Sequence, residues 1–222
     1  MRDPRPAAVW LKLSSLCAIV DVEAAARAGW RPTDLTRAYL NGGATFLQLR
    51  AKSLPGGQFL DIASAAVELA HAAGATLVVN DRADVARLAN ADGVHVGQDD
   101  LSPHQVRTLV GASALVGLST HTVDQIDRAL EQPVSYLAIG PVFGSVTKST
   151  GFDRVGLVMV SEAARRAHAR GLPLVAIGGI TLSTARQVVD AGASSVAVIG
   201  DLLATGDPEK RTREFLQALA DL

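Results

Sequence analysis

The chain has 222 residues, 48% of them hydrophobic and 19% charged, with 21 basic and 22 acidic side chains for a net charge of −1. That length suits one large domain or two small ones, and the apolar content can bury a sizeable core, which excludes disorder across the whole chain. Near-neutral charge and only 4% aromatics exclude a polybasic nucleic-acid surface or a base-stacking platform, and the single Cys17 excludes an internal disulfide.

The fold thus needs no oxidising compartment, and a cytoplasmic location is expected. No stretch approaches the ~20 apolar residues of a membrane span. Arg2 and Arg5 precede an apolar stretch from Ala7 to Val20, and Ala24-Ala25-Ala26 follows it. This loosely imitates a leader, but Lys12 interrupts it and Leu16–Val20 is required as a strand. Residues 1–15 are read as an extension or helix ahead of the first strand, within one domain spanning 1–222.

Short, continuous apolar runs recur along the chain. They are Leu16–Val20, Thr45–Leu49, Thr76–Val79, Gly93–Val96, Leu115–Leu118, Tyr136–Ile139, Leu174–Ile177 and Ser195–Ile199. Continuous rather than alternating apolarity marks parallel strands covered on both faces. Helical patterns lie between them at Pro55–Ala73, Asp124–Leu130, Leu157–Arg170, Leu182–Ala191 and Pro208–Leu219. Small-residue turns such as Gly42-Gly43-Ala44 and Gly192-Ala193 lead into the strands. Eight strand–helix repeats predict a (β/α)8 TIM barrel, somewhat shorter than the usual ~250 residues, with an open doubly wound sheet as the alternative.

In such a barrel the chemistry sits at the carboxyl ends of the strands. The second run ends in Gln48-Leu49-Arg50-Ala51-Lys52, where alternation puts Gln48, Arg50 and Lys52 on one side. Two cations and an amide there suit a multiply charged anion. Asn80-Asp81-Arg82 follows the third run and Gly97-Gln98-Asp99-Asp100 the fourth. Hard oxygen ligands on neighbouring strands are what Mg2+ takes when it keeps its waters and bridges a phosphate. The competing reading of Asp99 and Asp100 is a cap on the helix starting near Pro103.

Ser119-Thr120-His121 follows the fifth run. His95 reads as structural, and His71, His104 and His168 read as surface residues on helices. The loop Gly140–Gly151 after the sixth run carries hydroxyls, glycines and Lys148 without Walker A spacing, which suits a binding loop or lid. Gly178-Gly179 and Gly200 end the seventh and eighth runs, where barrels frequently take a phosphate on backbone N–H groups. Two anion sites and one metal site on a single rim point to a transferase or isomerase of phosphorylated small molecules.

Taken in order, these motifs resemble the thiamine phosphate synthase family. The matching segments are Gln48-Leu49-Arg50-x-Lys52, Asn80-Asp81-Arg82, His95–Asp100, Gly117–His121, Gly140–Phe143 with Thr147-Lys148, and Gly178–Ile180. Individually weak, together they cover about Leu16 to Leu219.

The resemblance implies condensation of 4-amino-5-hydroxymethyl-2-methylpyrimidine diphosphate with 4-methyl-5-(2-phosphoethyl)thiazole. The products are thiamine monophosphate and diphosphate, formed by a dissociative, Mg2+-assisted route. It further implies that Gln48 meets the pyrimidine and that Arg50, Lys52, Asn80, Ser119 and Lys148 hold the pyrimidine diphosphate. Leu49 and Ala51, at the same strand end, are expected to contact substrate too. Asp81 and Asp100 take Mg2+. Ser145, Val146 and Thr147 face the thiazole phosphate, with Gly179, Ile199 and Gly200 binding it through the backbone. Arg50, Lys52, Ser119 and Lys148 are the expected catalytic set.

Two departures concern the thiazole phosphate. Gly200 stands where the family often has serine, and Gly144-Ser145-Val146 replaces a common proline-threonine form. The related thiazole tautomerase typically carries His in place of Pro141 and lacks the metal-binding Asp, so Pro141, Asp81, Asp100 and Lys148 favour the synthase. A phosphate-ligand sensor or another phosphosugar barrel enzyme are the remaining alternatives. The sequence leaves oligomeric state open, a homo-oligomer included.

Overall fold

In the computed structural model, residues 13–144 and 153–220 are described. Eight parallel strands close into a barrel in sequence order, β8 pairing back onto β1. The strands are β1 (Leu16–Asp21), β2 (Phe46–Arg50), β3 (Thr76–Asn80), β4 (Gly93–Val96), β5 (Leu115–Thr120), β6 (Tyr136–Ile139), β7 (Leu174–Ile177) and β8 (Ser195–Val198). Each of the eight expected runs is a strand. The open-sheet alternative falls, because β1 and β8 are in register, Leu16 beside Val196.

The helices are α1 (Val22–Arg27), α2 (Pro32–Asn41), α3 (Gly56–Ala72), α4 (Ala83–Leu88), α5 (Pro103–Val110), α6 (Val123–Leu130), α7 (Gly156–His168), α8 (Leu182–Asp190), α9 (Gly200–Leu203) and α10 (Pro208–Ala218). The sequence reading lacked α1, α2, α4 and α9. Three of these are six residues or shorter, too brief to show a helical period. α2 is longer but mean-polar, and its signal is the proline at its first position. No helix among the described residues is long and apolar enough to cross a membrane.

Strand pleating divides the apolar residues into two cores. Outward side chains such as Leu16, Leu47, Leu77, Val116 and Leu137 pack against the helices in one large cluster. Inward side chains form a smaller one inside the barrel: Cys17, Ile19, Phe46, Val78, Tyr136, Ala138, Val175 and Ala197. Phe46 and Tyr136 meet edge to face, ring centroids 5.9 Å apart. Three of the eight inner residues are Cys or Ala, so the barrel interior is not filled to its carboxyl end.

α10 closes the ring over β1 and α2. Its Phe215 is fully buried in the outer core, under the Arg211 guanidinium 5.7 Å from the ring centre. Truncating Phe215 to Ala removes the anchor and leaves a cavity that the ring of helices cannot close. Phe215→Ala is expected to lose about 3–5 kcal/mol in urea unfolding followed by circular dichroism.

Candidate active site

The inward positions change character near the carboxyl ends of the strands. Above the apolar layer come Asp21 on β1, Gln48 and Arg50 on β2, Asn80 on β3, His95 on β4 and Ser119 on β5. Asp21, Gln48, Asn80 and His95 are nearly fully buried. A cavity of about 490 Å3 opens there. Its floor is Cys17, Ile19, Ala138, Val175 and Ala197, and its wall includes Gln48, Arg50, Asn80, His95 and Ser119. Gly179, Ile199 and Gly200 line the far side.

Arg50 forms a short ion pair with Asp21, both side chains largely buried at 12% and 2% exposure. The second Asp21 oxygen accepts from Ala24 N at 2.7 Å and so caps α1. A buried guanidinium needs such a partner, since an unpaired charge there would carry a large desolvation cost.

Lys52 pairs with Asp81 at the rim. Asp81 has φ 63°, a left-handed conformation that Asp tolerates better than most residues, and its N–H donates to the His95 carbonyl at 2.7 Å. Asp100 is a close enough neighbour of Asp81 for the two carboxyl groups to interact. Burial raises the Asp100 pKa, with the neighbouring Asp81 carboxylate adding to the rise; an N–H from Gly97 at 2.8 Å opposes it. The helix-cap reading of Asp99 and Asp100 is corrected. Pro103 at the first position of α5 makes Ser102 the cap, in a reciprocal box with Gln105, and Asp100 instead closes the turn onto Gly97.

His95 bridges two groups. Nδ1 is 3.0 Å from the Tyr136 hydroxyl and Nε2 is 2.8 Å from Ser119 Oγ. Both ring nitrogens are engaged, which fixes the plane of the imidazole and the positions of the two hydroxyls. Its ring stacks on Tyr136 at 5.5 Å. The Tyr136 hydroxyl is pushed above its ordinary pKa by burial, then by nearby Cys17. Cys17 is likewise pushed up by burial, so its thiol is protonated and poorly nucleophilic. Gln98 fixes the strand end by donating to the Ser119 carbonyl at 2.7 Å.

Across the mouth, the chain after β6 is laced to the turn after β7. Val142 N donates to Ile177 O at 2.9 Å and Phe143 N to Gly178 O at 3.0 Å. Gly179 sits at φ 65°, and a Cβ there would lie 2.6 Å from Gly144 O, so the approach admits only glycine.

The structure thus brings Gln48, Arg50, Asn80, Ser119, Gly179, Ile199 and Gly200 to one cavity, with Lys52, Asp81 and Asp100 clustered at the strand ends. The expected substrate contacts from Leu49 and Ala51 are corrected: pleating points the fully buried Leu49 side chain outward into the helix-facing core, Ala51 packs partly against that same core, and neither lines the cavity. Ser145, Val146, Thr147 and Lys148 lie outside the described residues. His71, His104 and His168 are exposed on α3, α5 and α7 as expected. Sequence reasoning missed Asp21, Glu23 and Tyr136. The parity of Cys17, Ile19 and Asp21 on one strand was the available signal for the first.

Thiamine monophosphate synthase is the family whose model matches this sequence, over residues 16–202. The chain belongs to that family. A thiamine-phosphate synthase of Koribacter versatilis is 46% identical over 216 residues, covering 94% of this chain and 97% of the relative. One from Roseiflexus sp. strain RS-1 is 40% identical over 188 residues, covering 85% and 78%. Among solved structures, thiamine phosphate pyrophosphorylase from Pyrococcus furiosus superposes with a TM-score of 0.84 at 28% identity, covering 96% of this chain and 98% of that one. Membership of the thiamine monophosphate synthase family makes this chain a transferase of thiamine biosynthesis on a TIM barrel, acting on small phosphorylated substrates.

Gly117 has no room for a side chain. A Cβ there would stand 2.1 Å from the Tyr136 ring and 2.4 Å from His95 Nδ1. Gly117→Ala must displace both rings from the wall that orients Ser119. It is expected to cost about 1–3 kcal/mol in thermal unfolding and to lower turnover beyond what that loss explains.

Proposed function

We propose that the chain joins 4-amino-5-hydroxymethyl-2-methylpyrimidine diphosphate to 4-methyl-5-(2-phosphoethyl)thiazole, releasing thiamine monophosphate and diphosphate. The observation that supports this most directly is the corner made by Lys52, Asp81 and Asp100 beside buried Arg50, facing glycine turns across an apolar-floored cavity. A diphosphate fits the charged side, a monophosphate the turns, and two heteroaromatic rings the floor.

The residues present fit a magnesium ion. Asp81 and Asp100 offer oxygen donors side by side. No cluster of three or more metal-ligating side chains occurs among the described residues. That donor set suits Mg2+, which retains waters and takes remaining ligands from substrate phosphates, better than a transition metal. Asp81 and Asp100 would hold it, and when bound it supplies neutralisation of the diphosphate's growing charge.

Gln48 and the Ser119 hydroxyl orient the pyrimidine, Ser119 being fixed in turn by His95. Arg50, Lys52, Asn80 and Lys148 hold the diphosphate, so negative charge building on it as the methylene C–O bond breaks meets fixed positive charge. The pyrimidinylmethyl cation that remains is stabilised by electron donation from the electron-rich ring. The Gly179, Ile199 and Gly200 backbone binds the thiazole phosphate, for which Ser145, Val146 and Thr147 are the further expected ligands, and this anchors the thiazole for attack through its nitrogen. That nitrogen donates its lone pair to form the C–N bond. No general base is required, which accords with a site furnished by cations and orienting groups.

Mixing the purified protein with both substrates and Mg2+, against an EDTA control, tests the reading through thiochrome fluorescence of the product. Metal-dependent thiamine monophosphate is expected, and its absence from folded protein overturns the assignment. Asp81→Asn keeps a residue that tolerates the left-handed backbone and removes only the charge. It is expected to lower turnover at least about 100-fold, with a melting temperature within a few degrees of wild type.

A further inference from the structure

Between the end of β2 and the start of α3, the backbone carrying Lys52 and Ser53 belongs to no helix or strand. Lysine is a flexible point charge, and holding its ammonium in one place carries a conformational cost. The segment is held from outside. Glu23, in the first turn of α1, directs one carboxylate oxygen at three donors: Lys52 N at 2.8 Å, Ser53 N at 2.9 Å and Ser53 Oγ at 2.8 Å. The other oxygen is buried and has no hydrogen-bond partner among the described residues, so the bonds that hold this carboxylate all come from the Lys52–Ser53 loop.

We propose that Glu23 is a positioning residue for the anion site, holding the Lys52–Ser53 backbone so that the Lys52 ammonium is presented at the Asp81–Asp100 corner. The inference rests on the reading of Lys52 as a diphosphate contact. Burial opposes ionisation of Glu23, but the bonds from Ser53 and Lys52 outweigh it and hold the carboxyl below its ordinary range. The clamp is therefore charged at neutral pH, and charge-assisted bonds are stronger than neutral ones. Asp21 and Glu23 flank the β1–α1 junction and each holds one cation-bearing position of the neighbouring β2 end: Asp21 the guanidinium of Arg50, Glu23 the peptide of Lys52.

The test compares full-length wild type, Glu23→Ala, Glu23→Gln and Ser53→Ala. Titration calorimetry with inorganic diphosphate and Mg2+ is paired with KM for each substrate and with melting temperature. In E23A, diphosphate affinity is expected to fall, and KM for the pyrimidine diphosphate to rise, by about tenfold, because displacing a contact by a fraction of an ångström has effects of that order. KM for the thiazole phosphate should stay unchanged. E23Q retains an oxygen that can accept the same three bonds and should recover affinity to within about threefold; S53A loses one bond and should weaken binding about twofold.

Wild-type affinity in E23A, a parallel rise of both KM values, or E23Q as impaired as E23A would each overturn the clamp. If E23A is too unstable to assay, E23Q and S53A carry the comparison, and S53A at wild-type affinity counts against the clamp. Failure of the wild type to bind diphosphate would instead overturn the anion site itself, and the role of Glu23 with it.

Discussion

Closure of eight parallel strands is the constraint on which everything else here depends. Once β1 and β8 are hydrogen-bonded in register, every second side chain has no choice but to face the axis. The outward set can be uniformly aliphatic because the surrounding helices cover it. The inward set must fill a tapering space and, at one end, stop filling it. Small residues at Cys17, Ala138 and Ala197 leave the volume that becomes the cavity. The polar inward residues one step further along the strands become its wall.

Polar groups gathered in so confined a wall must satisfy one another before any ligand arrives. Arg50 is matched by Asp21, Lys52 by Asp81, and His95 by Ser119 and Tyr136. Each pairing fixes a direction, and the two ion pairs also balance a charge. The site is thereby preorganised, and preorganised dipoles and charges do not have to reorient during the reaction. Gly117 shows how far the packing supports this, because the Tyr136 and His95 rings occupy the space that any side chain at that position would take.

Much of this was legible in the sequence, for physical reasons. Strands buried on both faces are continuous apolar runs, so all eight were placed, and the strand ends then located Gln48, Arg50, Asn80, Asp81, Asp100 and Ser119. Short helices such as α1 and α4 escaped notice because one and a half turns carry no period. The cap reading of Asp99 and Asp100 failed because Pro103 fixes where α5 begins, leaving Asp100 two residues ahead of the cap position at Ser102. Asp21 and Glu23 were invisible for another reason. Their partners lie about thirty residues away, Arg50 at the end of β2 and Lys52 and Ser53 in the loop after it, and the side-by-side pairing of Asp21 with Arg50 brings them together.

The double use of Asp21 ties two events that are usually independent. One of its oxygens caps α1 through the Ala24 N–H and the other holds Arg50. A rotation of the Asp21 side chain therefore breaks the helix cap and releases the guanidinium together. The Ala24 amide proton thus acts as a built-in reporter: its rate of exchange with solvent deuterium follows how often the rim loses its buried cation, read from a peptide bond that contacts no substrate.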